Sequence, residues 1–262
     1  MGVRGHGKPG HMQRLEGLIA LVTGAGNGIG RGIARRFAGE GAVVFVADVD
    51  GAAAETVAQE LRAEGHNATA LTADVSRGQD VTAMFRAVAS AHGRLDVLVN
   101  NAGLNVRGDF RHLSDADWVK IREVNLDGVV RVARDGFDLL RASGRGSLVN
   151  VASIMGHRGL RQLTAYSATK GAVAALTRGL AVEYAPFNIR VNTLSPGFVE
   201  TALTGRVLRN PMMSKALIDQ TPLRRFGTVE DMANAALFFA SDESAFVTGA
   251  ELAVDGGMSA GL

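Results

Sequence analysis

Apolar residues recur along this chain in short, nearly continuous runs that are separated by more polar stretches. The runs are LIALV (18–22), AVVFVA (42–47), ATALTA (68–73), LDVLVN (95–100), SLVNVA (147–152), IRVNTL (189–194) and ELAV (251–254). Continuous hydrophobicity, rather than an alternation of apolar and polar positions, is typical of strands buried on both faces. The pattern therefore predicts seven buried strands.

Stretches with helical composition lie between these runs. They are GRGIARRFAGEG after the first run, AAAETVAQELRAEG after the second, DVTAMFRAVASAHG after the third, and two longer stretches at about 115–142 and 165–185. A regular alternation of strand and helix predicts a parallel sheet with helices on both faces. No linker or change in composition divides residues 15–262, so we expect a single α/β domain.

The composition excludes several classes of site. The chain contains no cysteine, which rules out a disulfide framework, a thiolate metal site and a cysteine nucleophile, and agrees with a cytoplasmic location. Six histidines are scattered along the chain with no H-E-x-x-H pattern, so we predict no metal site. The apolar runs are too short to span a membrane, and no membrane segment is predicted.

Residues 1–14 differ from the rest of the chain. They are rich in glycine, lack the apolar core of a signal peptide, and carry Arg4, Lys8 and Arg14 without any acidic residue. We expect a disordered extension or, in part, a cloning remnant. Because this tail accounts for the net charge of +2, the rest of the chain is close to neutral and offers no broad basic surface for nucleic acid.

A glycine-rich turn, TGAGNGIG (23–30), follows the first predicted strand and precedes a helix. Its glycines have a Gly-x-x-x-Gly-x-Gly spacing, which lets the backbone turn tightly and approach a pyrophosphate. The helix that follows directs free N–H groups and a positive dipole end at the phosphates. The turn predicts a dinucleotide site that includes Gly24, Asn27, Gly28, Ile29 and Gly30.

Asp48 ends the second predicted strand, about twenty residues beyond the glycines, where an acid can bind the hydroxyls of the adenosine ribose. A carboxylate at this point repels a 2′-phosphate, and neither Asn27 nor Val49 supplies the cation that such a phosphate needs. NAD is therefore predicted as the cofactor. NADP is the less favoured alternative, which Arg31 and Arg35 nearby in the sequence keep open.

Two further strand ends are expected at the same edge of the sheet. The third run ends in ADV, where Asp74 and Val75 can meet the adenine, and the fourth ends in NNAG, with Asn101, Ala102 and Gly103 at its close. Ligands of open α/β sheets gather at the carboxyl ends of the strands. We therefore assign these five residues to the cofactor site.

Tyr166 and Lys170, in YSATK, lie four residues apart in a helical stretch and therefore on one helix face. Such a pair is common on solvated helices, so its meaning depends on the remaining motifs. The motifs TGAGNGIG, NNAG, NVASI, YSATK, RVNTLSPG and VDGG, in this order, resemble those of the classical short-chain dehydrogenase/reductase family from about Leu15 onward. The resemblance implies a single-domain Rossmann fold with a doubly wound, seven-stranded parallel sheet.

The resemblance also implies a catalytic set of Asn125, Ser153, Tyr166 and Lys170. Ser153 is expected to hold the substrate oxygen, and Tyr166 to exchange a proton with it as general acid/base. Because a free tyrosine has a pKa of about 10, we expect the Lys170 ammonium and the oxidised nicotinamide to lower the pKa of Tyr166. Lys170 should also bind the nicotinamide ribose, and Asn125 should hold a water that links Lys170 to solvent.

The segment after the sixth run completes the implied cofactor site. Pro196 and Gly197 shape a turn, and the family resemblance assigns Val199 and Thr201 to the nicotinamide carboxamide and the pyrophosphate. The stretch from 198 to 226 resembles the substrate lid of this family. The resemblance further implies a homotetramer that packs the two long helical stretches against a neighbour.

The function predicted from the sequence is an NAD-dependent interconversion of a secondary alcohol, such as a polyol or cyclic alcohol, and a ketone. Two alternatives remain: an NADPH-dependent 3-oxoacyl-(acyl-carrier-protein) reductase, and a catalytically inactive NAD-binding module. Asp48 and the lack of an arginine at 186–188 weigh against the first, and the intact catalytic set weighs against the second. His157, Arg158 and Arg161 are expected at solvent or a subunit contact, or against a polar or anionic substrate.

Overall fold

The computed structural model describes residues 13–201, 205 and 210–261. Within them, the strands form one seven-stranded sheet in the order β3-β2-β1-β4-β5-β6-β7, and all neighbouring strands pair in parallel. The strands are β1 (Ile19–Thr23), β2 (Val43–Asp48), β3 (Ala68–Thr72), β4 (Val97–Asn100), β5 (Ser147–Val151), β6 (Arg190–Pro196) and β7 (Glu251–Val254). Each strand overlaps one of the predicted apolar runs, and the predicted doubly wound Rossmann fold is confirmed.

The helices of the described residues cover both faces of this sheet. They are α1 (Gly28–Gly39), α2 (Gly51–Ala63), α3 (Gly78–His92), α4 (Asp115–Arg122), α5 (Gly128–Asp135), α6 (Phe137–Ser143), α7 (Thr164–Tyr184), α8 (Pro211–Gln220) and α9 (Val229–Ala240). None of them is long and apolar enough to cross a membrane.

Successive residues of the strands belong to two different buried clusters. Val22 packs with Phe37 and Phe239 in one cluster, whereas Leu21 packs with Phe85 in the other. Because side chains alternate between the two faces of a strand, each strand supplies apolar side chains to both layers of helices. This double burial is the physical reason that the strands appear in the sequence as continuous apolar runs.

The stretch at 115–142, predicted as one long helical region, is divided into three helices. A π-helical turn at Glu123–Asp127 separates α4 from α5, and Gly136 separates α5 from α6. A Cβ on Gly128 would lie 2.8 Å from the Val75 side chain, and one on Gly136 would lie 2.9 Å from Leu98 and Phe85. The glycines thus allow the helices to approach the sheet closely.

A buried chain of polar side chains joins the centre of the sheet to α7. The Asn100 amide donates to Asn150 Oδ1 over 2.9 Å, and the Asn150 amide donates to Thr177 Oγ1 over 2.9 Å. Thr177 in turn donates to the carbonyl of Val173. Because an unpaired polar group would be costly at this depth, the chain fixes the position of α7 against β4 and β5.

The predicted tail of residues 1–14 lies mostly outside the described residues, which begin at Gln13. The Arg14 backbone N–H donates to the Glu40 carboxylate over 3.0 Å, and its guanidinium pairs with Glu40 and Glu243. Glu40 is buried, and these bonds hold its pKa below the usual value although burial acts in the opposite direction. Contacts with the domain therefore start before Leu15.

Candidate active site

A cleft of about 920 Å³ opens at the carboxyl ends of the strands, where the strand order reverses between β1 and β4. Most of the residues assigned from the sequence line it, from separate segments of the chain: Gly24, Asn27, Gly28, Ile29, Asp48, Asp74, Val75, Asn101, Ala102, Gly103, Ser153, Tyr166, Lys170, Pro196, Gly197, Val199 and Thr201. Gly30 and Asn125 are buried and lie outside the lining of the cleft.

The glycine-rich turn has the backbone shape that its sequence suggests. Gly24 and Gly28 have φ angles of +62° and +53°, which favour glycine. A Cβ on Gly30 would lie 2.2 Å from the carbonyl oxygen of Gly24, so no side chain fits there. Helix α1 starts at Gly28 without a side-chain cap or an acidic residue in its first turn. Its first N–H groups can therefore bind the oxygens of a phosphate.

Asp48 lies at the cleft as predicted, and its carboxylate is fixed by two backbone donors. Gly26 N donates to Oδ2 over 2.8 Å, and Asp50 N donates to Oδ1 over 3.0 Å. A Cβ on Gly26 would lie 2.9 Å from this carboxylate, so Gly26 belongs to the site although the sequence did not assign it. The middle glycine of GAGNG was the signal available for it.

Arg31 and Arg35 are the residues for which NADP remained an alternative cofactor in the sequence analysis. In the structure both form ion pairs with acids of another helix. Arg31 contacts the Glu60 carboxylate at 2.7 Å, and Arg35 contacts Glu60 at 3.2 Å and Glu64 at 2.6 Å. Both acids lie on or beside the end of α2. Neither arginine lines the cleft.

The end of the cleft near β3 contains groups that the sequence did not indicate. Asp74 accepts from both the backbone N–H and the hydroxyl of Ser76, at 2.9 and 2.7 Å. The cleft is also lined by residues of α4 and the π-helical turn, among them Val119, Lys120 and Glu123. These residues are more than forty positions from Asp74 in the chain, and no local motif assigns them to the cleft.

Ser153 and Tyr166 meet at the cleft through their hydroxyl groups. Ser153 follows β5 and Tyr166 lies in the first turn of α7, and the Ser153 side chain interacts with the phenol. Burial raises the pKa of Tyr166 above its usual value, and the bond with Ser153 partly offsets this. The sequence led us to expect a lowered pKa for Tyr166, and the protein's own groups do not produce it. The loss of water around the phenol raises the pKa by more than the interaction with Ser153 lowers it.

Lys170 lies one helical turn beyond Tyr166 and is 3% exposed. Its Nζ donates to the Val151 carbonyl over 2.7 Å and lies 5.8 Å from the centre of the Tyr166 ring. Burial lowers the pKa of Lys170 from 10.5 to about 8. The ammonium therefore faces the ring of Tyr166, and at neutral pH it remains charged at a cost in stability.

Asn125 lies in the π-helical turn, and its side chain bonds the loop that follows β4. Its Oδ1 accepts from Leu104 N over 2.8 Å, and its Nδ2 donates to Leu104 O over 2.9 Å. A Cβ on Gly103 would lie 3.4 Å from Asn125 Oδ1 and 3.5 Å from Lys170 Nζ. A π-bulge in an α-helix frequently marks a functional site, and here it brings Asn125 beside Lys170.

The basic residues after Ser153 have different surroundings. His157 Nε2 lies 2.7 Å from the Glu251 carboxylate, which also accepts from the Ser195 hydroxyl. The Arg158 guanidinium donates to the carbonyl of Met258. Arg161 is exposed and acts on Asp109 through its charge. Two of the three candidate substrate contacts are thus bonded to the protein itself.

The lowered pKa of Lys170 predicts how stability depends on pH. Between about pH 8 and 10.5 the unfolded chain binds more protons at this lysine than the folded chain does, so stability rises with pH in that window. We expect the unfolding free energy of the wild type, relative to Lys170→Met, to increase by about 3 kcal/mol from pH 7 to 10.5.

Urea unfolding at several pH values and fixed protein concentration measures this difference. Lys120→Met, at an exposed lysine of the same cleft, is the matched control and should follow the wild type throughout. A parallel course of the wild type and Lys170→Met would show that burial does not depress the pKa of Lys170.

Three similar proteins of known activity extend over nearly the whole chain. This chain is 42% identical over 246 residues to galactitol 2-dehydrogenase (L-tagatose-forming) of Cereibacter sphaeroides, and the match covers 93% of this chain and 96% of that protein. It is 37% identical over 249 residues to cyclopentanol dehydrogenase of Comamonas sp. (strain NCIMB 9872), covering 95% and 100%. It is 36% identical over 245 residues to the 3-oxoacyl-[acyl-carrier-protein] reductase of Thermotoga maritima, covering 94% and 99%.

A family model and a solved structure agree with these similarities. Residues 24–259 match the model described as Enoyl-(Acyl carrier protein) reductase. A gluconate 5-dehydrogenase from Burkholderia cenocepacia J2315, solved in complex with NADP and tartrate, is similar with a TM-score of 0.92 and 37% identity, covering 96% of this chain and 98% of that one. The chain therefore belongs to the short-chain dehydrogenase/reductase family, whose members are oxidoreductases that act on CH–OH groups with NAD(P).

Proposed function

We propose that this protein is an NAD-dependent dehydrogenase that interconverts a secondary alcohol and a ketone, with Tyr166 as general acid/base. The joint placement of the Ser153 and Tyr166 side chains at the cleft is the observation that carries the proposal. The two groups can bind one substrate oxygen between them. The tyrosine, in addition, has a cation one helical turn away.

Each catalytic residue has a distinct part in the proposed reaction. Ser153 holds the substrate oxygen, and Tyr166 takes the alcohol proton during oxidation or returns it during reduction. Lys170, whose charge is held by the Val151 carbonyl, favours the phenolate form of Tyr166. Asn125 positions the loop at Leu104 and thereby the wall of the cleft beside Lys170.

The cleft residues fit a nicotinamide dinucleotide. The uncapped first turn of α1, with Gly24 and Gly28 at its start, suits a pyrophosphate, and the Asp48 carboxylate suits ribose hydroxyls. Asp74, Val75 and the loop at 101–103 are assigned to the adenosine half, and Pro196, Gly197, Val199 and Thr201 to the nicotinamide half. When bound, the dinucleotide supplies the redox chemistry by accepting or donating hydride.

Charge supports NAD in preference to NADP. Asp48 is an acid at the ribose end of the cleft, where a 2′-phosphate would be repelled, and its oxygens are held in place by Gly26 and Asp50. Arg31 and Arg35 are committed to Glu60 and Glu64. Solved gluconate 5-dehydrogenases among the similar proteins bind NADP, and the cofactor assay below decides between the two cofactors.

The general acid/base role predicts the behaviour of Tyr166→Phe. Turnover of secondary alcohols with NAD⁺ should fall at least about 1,000-fold, because the phenol that exchanges the substrate proton is removed. The dissociation constant for NADH, measured by fluorescence titration, should change by less than about threefold. In the wild type, alcohol oxidation should accelerate as pH rises, because the phenolate is the form that accepts the proton.

Ser167→Ala, at the hydroxyl next in sequence, is the control and should retain activity. If Tyr166→Phe keeps a substantial part of the wild-type rate, the assignment of the general acid/base is wrong.

The charge argument predicts the cofactor preference. Wild-type kcat/KM should favour NAD⁺ over NADP⁺ at least about 100-fold, and Asp48→Asn should narrow this ratio about tenfold or more, since one repulsive charge contributes roughly 1–3 kcal/mol. Asp50→Asn, a nearby exposed acid that caps α2, serves as control and should leave the ratio unchanged. A wild-type preference for NADP⁺ would contradict the assignment of Asp48.

A second candidate function follows from the similarity to the Thermotoga maritima reductase, namely reduction of 3-oxoacyl-(acyl-carrier-protein) with NADPH. The same assays separate the two functions. Turnover restricted to 3-oxoacyl thioesters and NADPH favours the carrier-protein reductase, whereas turnover of simple secondary alcohols with NAD⁺ favours our first proposal.

We further propose that the protein acts as a homotetramer. Exposed apolar side chains on α7 and α5 support this, among them Val182, which is 76% exposed, and Val130. β7 is the edge strand of the described sheet, and Leu252 on this strand and Phe246 in the segment before it are exposed. Light scattering should give four times the chain mass of 27.4 kDa, and Val182→Glu should give a smaller species. A wild-type monomer would contradict the proposal.

A further inference from the structure

Helix α4 and the π-helical turn after it line the cleft with one continuous face. The residues of this face recur at intervals of three or four positions, which brings them to one side of a helix: Ala116, Val119, Lys120, Glu123 and Val124. Ile121 and Asn125 lie between these positions and are fully buried, so they mark the side that packs on the protein. The contribution of α4 to the cleft is therefore a property of the whole helix face.

This face adjoins the end of β3. A Cβ on Gly128, four residues after Val124, would lie 2.8 Å from the Val75 side chain. Val124 packs against the same apolar cluster that contains Val75. Lys120 lies four residues before Val124 on this face, so it belongs to the end of the cleft where Asp74 and Val75 lie. Under the proposed function this end holds the adenosine half of the dinucleotide.

Lys120 differs from the other lysine of the cleft in its surroundings. Lys120 is exposed, and within the described part of the chain its ammonium takes part in no hydrogen bond or ion pair. Lys170, in contrast, is 3% exposed and bonded to the Val151 carbonyl. Among the described residues that line the cleft, Lys120 is thus the cation that is left for a ligand.

The other charges of the cleft make this cation important for an anionic ligand. Apart from the two lysines, the charged side chains of the described lining are the carboxylates of Asp48, Asp74 and Glu123. A dinucleotide carries a negatively charged pyrophosphate, which these acids repel and which the first turn of α1 attracts through its backbone N–H groups. At about 0.1 M salt such repulsion extends over roughly 10 Å. Lys120 is therefore placed to offset the repulsion by the acids.

We propose that Lys120 is an electrostatic recognition residue, which attracts an anionic adenine dinucleotide into the cleft and thereby raises the rate of cofactor association. The inference rests on the proposed function, because it needs the dinucleotide to bind with its adenosine half at this end. A charge at the rim of a site changes the association rate and its salt dependence more than the dissociation rate. The role requires a positive charge at position 120, and not the particular shape of a lysine.

Stopped-flow fluorescence of NADH binding to the full-length protein, without substrate, measures this effect. At about 20 mM salt, Lys120→Met should lower the association rate constant at least about threefold, because the attraction is lost. The dissociation rate constant should change by less than about twofold. At about 500 mM salt the association rates of Lys120→Met and the wild type should converge, since salt screens the charge.

Two variants provide matched controls. Lys120→Arg keeps the charge on a different side chain and should retain the salt-dependent association rate of the wild type. Lys215→Met removes the same charge from an exposed lysine on α8, outside the described lining of the cleft, and should leave the association rate within about 1.5-fold of the wild type. The comparison separates the position of Lys120 from the net charge of the protein.

Equal association rates of the wild type and Lys120→Met at low salt would overturn the inference. An equal loss in Lys215→Met would overturn it as well, because the effect would then come from net charge. A loss in Lys120→Arg as large as that in Lys120→Met would show that the shape of the side chain matters rather than its charge, and would also contradict the proposed role.

The same measurements separate a failure of this inference from a failure of the proposed function. Absence of both NADH and NADPH binding by the wild type would defeat the proposed function and the inference with it. Binding of NADPH alone would defeat the proposed preference for NAD, and the same variants measured with NADPH would still decide the role of Lys120.

Discussion

The interaction on which the site depends most is the buried bond between the Lys170 ammonium and the carbonyl of Val151. It joins the second turn of α7 to the end of β5, the strand that leads into Ser153. A charge in this position is costly, and the lowered pKa of Lys170 is a measure of that cost. The buried chain from Asn100 through Asn150 to Thr177 fixes the same helix against the same strand farther from the cleft. Together these bonds hold the Ser153 and Tyr166 hydroxyls in register.

Burial also determines the state of Tyr166. Its ring packs on an apolar cluster, and burial raises the pKa of the phenol, while the interaction with Ser153 acts in the opposite direction. The protein alone thus keeps Tyr166 in its protonated form, suited to donate a proton to a carbonyl. In the proposed reaction, a positive charge next to the phenol would favour the phenolate, which is the form that accepts the proton of an alcohol.

The sequence predicted the strands and the strand-end residues, because both correspond to local patterns of residues. Double burial made each strand a continuous apolar run, and the residues at strand ends were found because the motifs place them there. The divided helix at 115–142 was not predicted, since Gly128 and Gly136 function through contacts with Val75 and Leu98 that no local pattern reveals. For the same reason Val119 and Lys120 were missed at the cleft, and Arg158 was considered as a substrate contact although it bonds the carbonyl of Met258. Gly26, which holds Asp48, was missed although the glycine pattern GAGNG contains a signal for it.

The ion pairs of Arg31 and Arg35 have a consequence for how cofactor preference can change during evolution. Two guanidinium groups already lie on α1, the helix that starts at the cleft, and two carboxylates on or beside the end of α2 hold them. A descendant enzyme need not acquire a new cation in order to accept a phosphorylated ribose. Loss of Asp48 together with Glu60 or Glu64 would leave an arginine that is already present on α1 available for that phosphate. Under the proposed preference for NAD, the two cofactor classes would be separated by a short mutational path in which charges are removed rather than gained.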